Sequence, residues 1–375
     1  IASRCGDLDG CLRFYLVRGG LFSKLWVIVV GMAVSIQLQA QPRQEAPQPV
    51  PFPKVEQQEL FMQAIEALDA GKTNSMVELL DRAVLLDTEN QFAYIKRAQL
   101  FDLVGNKVRA IQDCSAALGL NPTFADVYQL RGCNHFKMGN VLAAVRDWQI
   151  FIQLKPEKET EHWQICVGHT LLGNYEEARK RFEWHWTENT EDMEVAFWHF
   201  LCVARTEGLT KARENLMTVS GEKRVPMAQI YELYKGEGDE SSVWLAAANG
   251  TPNPVERAQR EFFAHYYLGL LRQAEGNLED AKISVTKALE IARSHDGFIG
   301  DSPGGQLRGG DIANVHFKQI NQKLAEQLAY TKEDGEDSSM TLLVYLGAGV
   351  GLVLLVGYSW RRRQIDLPLA QKSST

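Results

Sequence analysis

The stretch V-G-N-K-V-R-A-I-Q-D-C-S-A-A-L-G-L-N-P, residues 104–122, reads as one helix with a glycine in front and a proline behind. Val108, Ile111, Ala117, Leu118 and Leu120 recur along it at helical spacing. Ala110 and Ala117 stand where a lone amphipathic helix would carry leucine. A methyl group on an inward face implies that a second backbone comes close. The sequence places that neighbour at a fixed distance.

The distance is 34 residues. Gly105, Ala110, Ala117 and Pro122 are followed by Gly139, Ala144, Phe151 and Pro156, then by Gly173, Ala178, His185 and Thr190. Gly71, Met76, Ala83 and Thr88 precede them. Four units thus abut over residues 57–192, and a fifth at 262–295 carries Gly276, Ala281 and Ala288 in the same places. Each unit predicts two helices. A glycine that tolerates positive φ closes the first, and a proline or its substitute ends the second. Gly132, Gly269 and Ala98 take a small position in their first helices, while Tyr94, Tyr128, Trp148 and Phe182 fill gaps between helices. One such hairpin cannot bury its apolar face alone, but stacked hairpins can.

This period and helix–turn–helix content resemble the tetratricopeptide repeat family. The expected fold is all-α, a helix-turn-helix solenoid followed by a single C-terminal transmembrane helix. Residues 193–261 lack the clean period and read as degenerate helical repeats. Residues 296–310 read as a glycine-rich loop, 311–332 as a terminal helix and 333–339 as an acidic linker.

Two membrane signals frame the repeats. Within residues 1–40, Arg18 and Lys24 precede the short apolar core 25–36 and a small residue at Ala40, the pattern of a secretory signal peptide. The residues ahead of that basic flank read as a mis-set start, because the chain opens on Ile1; an uncleaved anchor is the other reading. Residues 41–56 are rich in Pro and Gln and read as an extended spacer. Residues 340–360 are uncharged and long enough to span a bilayer. Arg361–Arg363 follow, so the positive-inside rule puts the tail 361–375 in the cytoplasm and the repeats outside it. The expected location is the bacterial cytoplasmic membrane, single-pass, with the repeats on the exterior side. Gly347 and Gly351 form a G-x-x-x-G that leaves a homodimer open.

Composition narrows the partners. The formal net charge is −7, and the two ends, 1–40 and 361–375, carry +2 and +3, so residues 41–360 carry −12. An acidic body without a long basic run argues against nucleic acid. Of the six cysteines, Cys114, Cys133, Cys166 and Cys202 fall in predicted helices with no CxxC pair. They read as buried thiols, with a Cys114–Cys133 disulfide left open.

The order of segments also resembles the new lipoprotein I group of bacterial envelope adaptors across residues 57–330. The shared pattern is clean repeats, then W-H-F-L-C-V-A-R, then P-M-x-x-I-Y-x-L-Y-x-G, then a final H-Y-Y-L-G-L repeat. The resemblance implies a helical, dimeric scaffold that presents cell-wall hydrolases to a protease. This chain differs in having no lipobox and in carrying a C-terminal span.

No G-x-S-x-G, Walker loop or H-E-x-x-H is present, so neither an enzyme nor a cofactor or metal is expected. His135 and His169 hold equivalent repeat positions and read as packed core histidines, and F-E-W-H-W at 182–186 as a packed second helix rather than a ligand cage. The alternative is an envelope hydrolase with its site in the irregular 193–261 region. The tetratricopeptide resemblance implies a concave face lined by first helices, which binds proteins or peptides. Its outward positions here are Phe92, Ile95, Gln99 and Asp102; Asp126, Gln129, Phe136 and Lys137; and Thr160, Trp163, Val167 and Thr170. The family's Lys and Asn clamp for chaperone tails is replaced by Ile95, Gln129 and Trp163, with Gln99, Cys133 and Val167 a turn on.

Overall fold

A computed structural model of the 375-residue chain describes residues 55–295 and 307–333. The expected signal at 1–40, the spacer up to residue 54, most of the glycine-rich loop, the acidic linker beyond residue 333, the span at 340–360 and the tail lie outside the described residues. The chain divides into two compact units, Ile1–Gln322 and Lys323–Thr375. Among the described residues every element is helical, and no helix is long and apolar enough to cross a membrane.

Four hairpins come first. They are α1 (Val55–Asp69) with α2 (Thr73–Leu85), α3 (Gln91–Leu103) with α4 (Lys107–Leu120), α5 (Ala125–Met138) with α6 (Val141–Leu154), and α7 (Trp163–Leu171) with α8 (Tyr175–Trp186). A 3₁₀ turn, Pro156–Lys158, separates the third hairpin from the fourth. Each of these helices packs on the next, and the first helices α3 and α5 also touch.

The 34-residue marks have a common backbone basis. Between α5 and α6 the Asn140 N–H donates to His135 O at 2.9 Å and the Gly139 N–H to Phe136 O at 2.7 Å, a Schellman closure with Gly139 at φ 91°. Residues 34 before and 34 after repeat it, with Asn106 to Phe101 O and Asn174 to His169 O. Asn106 then caps α4 through its side chain, accepting from the Arg109 N–H. A Gly-Asn pair therefore ends one helix and starts the next within two residues.

Side chains at the expected small positions do touch the partner helix. Ala98, Ala110, Ala117, Ala144, Ala178, Ala281 and Ala288 are almost fully buried, and so are Trp148 and Phe182. Val108 and Leu120, placed by the sequence on the packed stripe of α4, are exposed instead. At 100° per residue Val108 falls opposite the face that carries Ala110 and Ala117, and Leu120, the last residue of α4, falls at its edge. Cys114, Cys133, Cys166 and Cys202 are buried free thiols, so no Cys114–Cys133 disulfide forms. Burial pushes the thiols of Cys133, Cys166 and Cys202 up to about 12.

A charged ladder reinforces the stack. Arg97 of α3 makes a two-pronged bond to Asp113 of α4 at 2.7 and 2.8 Å and reaches back to Asp81 of α2 at 2.8 Å. One repeat on, Arg131 of α5 holds Asp147 of α6 in the same way and reaches back to Ser115 of α4. Bidentate guanidinium–carboxylate geometry suits this joint, because one planar fork ties its own hairpin to the previous one.

The irregular region is an excursion from the stack. Helix α9 (Met193–Glu207) is followed by the six-residue α10 (Leu209–Glu214), then α11 (Met227–Lys235) and α12 (Glu240–Ala248). Helix α13 (Pro254–Ala274) returns to pack directly on α9. It begins ahead of residue 262, because Asn253 caps it through the Glu256 N–H and Pro254 suits its first turn. Aromatic rings fill the joint: Phe197 of α9 stacks on Tyr234 of α11 at 4.2 Å, and the Tyr234 hydroxyl donates to Tyr267 O of α13 at 2.8 Å. Helix α14 (Leu278–Ser294) completes the last hairpin.

Helix α15 (Gly309–Glu333) closes the described chain. Its first turns are core. His316 is fully buried, with its ring 5.7 Å from Trp198 of α9 and 5.8 Å from Tyr266 of α13, and it hydrogen-bonds Gln273. A side chain at Gly309 would meet the Phe262 ring at 2.9 Å. Further along, Lys318 comes up to Gly139 at the end of α5.

Candidate functional site

Helices α3 and α5 leave an open groove between them. Phe92, Ile95, Lys96 and Gln99 of α3 form one wall; Phe124, Asp126, Val127 and Leu130, at the start of α5, form the other. The groove encloses about 310 Å³. Its floor is firm, because Ile95, Val127 and Leu130 belong to the core cluster that also holds Ala98, Cys114, Ala117 and Leu118. The half-buried rings of Phe92 and Phe124 meet edge to face at 5.8 Å across the mouth. Asp126 is exposed at the rim and pairs with Lys155 at 2.7 Å, and Lys96 is exposed opposite.

Four of the outward positions chosen from the sequence therefore converge: Phe92, Ile95, Gln99 and Asp126. Others face inward. Asp102 and Lys137 form an ion pair at 2.8 Å between α3 and α5, and both side chains are almost wholly buried. Phe136 is fully buried with its ring 5.7 Å from Trp148, inside the α5–α6 hairpin. Thr170 bonds to Cys166 O and lies 3.3 Å from Cys202 Sγ of α9, and Val167 is buried beside it. Four of these five occupy the last turns of their helices, and Val167 stands midway along α7. A row outward at the helix start rotates inward there, because 3.6 residues per turn does not keep step with the spacings chosen.

Gln129 sits between the two sets. Its Oε1 accepts from His162 Nε2 at 2.7 Å, while His162 Nδ1 accepts the Ile165 N–H and so caps α7. Burial, aided by the Arg181 charge, lowers the His162 pKa to about 4. Thr160 donates to Glu188 at 2.9 Å, and Trp163 borders a different cavity further along the stack.

His135 is half-buried and His169 buried, and burial lowers the pKa of both. In F-E-W-H-W, Phe182 and His185 pack inward while Trp184 is 55 % exposed. Among the described residues no group of three or more His, Cys, Asp or Glu converges as a metal site would require. Phe124, which the sequence reading missed, precedes the first turn of α5. Period matching set Asp126 against Phe92 and passed over the loop residue whose ring does the contacting.

No family model matches the chain. A TPR repeat-containing thioredoxin, TDX, of Arabidopsis thaliana is 29% identical over 153 residues, which is 39% of this chain and 38% of that protein. A small glutamine-rich tetratricopeptide repeat-containing protein of Dictyostelium discoideum is 27% identical over 93 residues, 25% of this chain and 28% of its own length. The chain thus spans well under half the length of these curated relatives. Among solved structures, a tetratricopeptide repeat protein from Parabacteroides merdae aligns over 80% of this chain and 96% of its own, at 17% identity and a TM-score of 0.39. The helix hairpins and their 34-residue period form an all-α, tetratricopeptide-like solenoid, and the curated proteins to which the chain is similar carry that repeat in their names.

Proposed function

We propose that the chain is a non-catalytic scaffold that binds segments of other proteins in the groove between α3 and α5. The observation that carries this reading is the groove itself. Two facing phenylalanines and three aliphatic side chains line an open channel with charged groups only at its rim. Such a surface suits a segment with one or two apolar anchors, and the firm core beneath it keeps the ordering cost of binding low.

The setting of the scaffold rests on the sequence. Residues 340–360 hold the chain in the bacterial cytoplasmic membrane, and the repeats face the exterior side. Cell-wall hydrolases or a protease are the partner class implied by the envelope-adaptor resemblance. The full chain serves as bait in detergent extracts of native membranes, beside a Phe92→Ala/Phe124→Ala variant. Proteins that the unmodified chain retains and the variant releases support the reading. Identical retention by both removes the groove from the account.

A further inference from the structure

A second cavity, of about 460 Å³, opens where α7, α8 and α9 meet the loop before α11. Its lining is Glu161, Trp163, His185, Asn189, Glu191, Asp192, Glu194 and Arg224, four carboxylates against one guanidinium. Not all of that charge is open to a visitor. Glu194 is bound by Arg224 and by the Tyr267 hydroxyl, and Asp192 caps α9 through the Glu194 N–H at 3.0 Å. Glu161 carries only an exposed pairing with Lys158, and exposed Glu191 has no ion-pair partner among the described residues.

Two further features separate this cavity from a plain acidic patch. The half-buried Trp163 indole offers a flat apolar wall beside the carboxylates. His185 closes another wall; it is only 5% exposed, and its Nδ1 has no hydrogen-bond partner.

We propose that this cavity receives a basic side chain, lysine or arginine, of a bound protein segment. The side chain's charge sits beside Glu161 and Glu191, the two open carboxylates, with its methylene stem along Trp163. Charge complementarity selects this occupant over an acidic or apolar one. An ammonium or guanidinium donates to carboxylates, stacks favourably on indole, and brings an apolar stem for the same wall. The proposal rests on the scaffold reading and adds a second contact, further along the same series of first helices as the apolar groove.

The test uses the full chain in mild detergent, with its eight tryptophans replaced by 5-fluorotryptophan and the Trp163 fluorine signal assigned from Trp163→Phe. The probes are Nα-acetyl-lysinamide, Nα-acetyl-argininamide and Nα-acetyl-norleucinamide. The two basic amides are expected to move the Trp163 signal saturably, and the norleucine amide to leave it in place. Glu161→Gln/Glu191→Gln weakens the response by about tenfold, as loss of two nearby opposite charges should, whereas the distant, exposed Glu279→Gln does not. An equal response to norleucinamide, an unchanged response in the double variant, or a Trp163 signal that no basic amide moves overturns the proposal. Its failure is distinct from failure of the scaffold. A Trp163 response with no protein released by Phe92→Ala/Phe124→Ala keeps the cavity and removes the groove, and the reverse pairing removes only the cavity.

Discussion

Gly132 and Trp148 approach so closely across the α5–α6 hairpin that a methyl group on Gly132 would lie 2.6 Å from the indole Nε1. The same hypothetical carbon would meet Ala144 O at 3.3 Å, so backbone as well as side chain bounds the gap. Gly269 stands in the same relation to Val285, at 2.8 Å, in the last hairpin. Glycine is required here for its missing Cβ, since both positions are helical.

Gly132→Ala is therefore expected to destabilise the chain by about 1–3 kcal/mol through overpacking, outweighing alanine's better helix propensity. Gly119→Ala in α4 should do the opposite. Nothing lies within 4 Å of its added carbon, so a gain of up to about 1 kcal/mol is expected. Chemical denaturation of both variants checks the sign. A stabilised Gly132→Ala would mean that the hairpin is looser than described.

The Asp102–Lys137 pair tests a second joint. Lys137→Met leaves a carboxylate in the interior and should cost about 3–5 kcal/mol, whereas Asp102→Leu/Lys137→Met should recover much of that loss. Equal stability of the single and double variants would show that the two charges do not depend on each other.

Arg131 and Asp147 should be coupled in a double-mutant cycle. Each removal to alanine is expected to cost about 1–3 kcal/mol, with the double variant costing less than the sum. The hydrogen bond to Asp147, the largest influence, raises the Arg131 pKa, so the guanidinium stays charged at neutral pH. Additive losses would remove the ladder as a source of stability between hairpins.

His162 predicts an acid limit. Burial lowers its pKa from 6.5 to about 4, so the folded chain favours the neutral ring. The unfolded chain binds the proton first as pH falls, so this contribution is intact above pH 6.5 and lost progressively down to about pH 4. The loss amounts to about 3 kcal/mol. Protonation would also occupy Nδ1, which accepts the Ile165 N–H. His162→Asn keeps a capping side chain and removes the titration, so its denaturation midpoint should fall less between pH 7 and pH 4.5. Parallel curves for the two proteins would refute the assignment.

The repeats were legible because their marks are backbone requirements. Gly105, Gly139 and Gly173 each close a Schellman turn, and Ala98 and Gly132 each allow a close approach, so the period follows from geometry that other residues cannot meet. Half of the site was legible for a related reason. Phe92, Ile95 and Gln99 lie on one face of α3 from its first turn, and they do line the groove. Phe136 and Lys137 were misplaced because their burial depends on Trp148 and Asp102, 12 and 35 residues away, which no local periodicity reports. His316 is similar: its place between Trp198 and Tyr266 is fixed by tertiary packing across more than 100 residues in one case and 50 in the other. The Arg97 and Arg131 ladder sits 34 residues apart in plain view, yet its purpose appears only when Asp81 and Ser115 are seen on the preceding hairpin.

Site-specific photocrosslinking tests the scaffold most directly. A benzoylphenylalanine replaces Phe124 at the groove or, as a control, exposed Val108 on the outer side of α4. Irradiation of native membranes carrying the full chain should join a discrete protein to the Phe124 probe, and Phe92→Ala should diminish the product. Crosslinks of equal yield from both positions, or none from Phe124, would contradict protein binding at this groove.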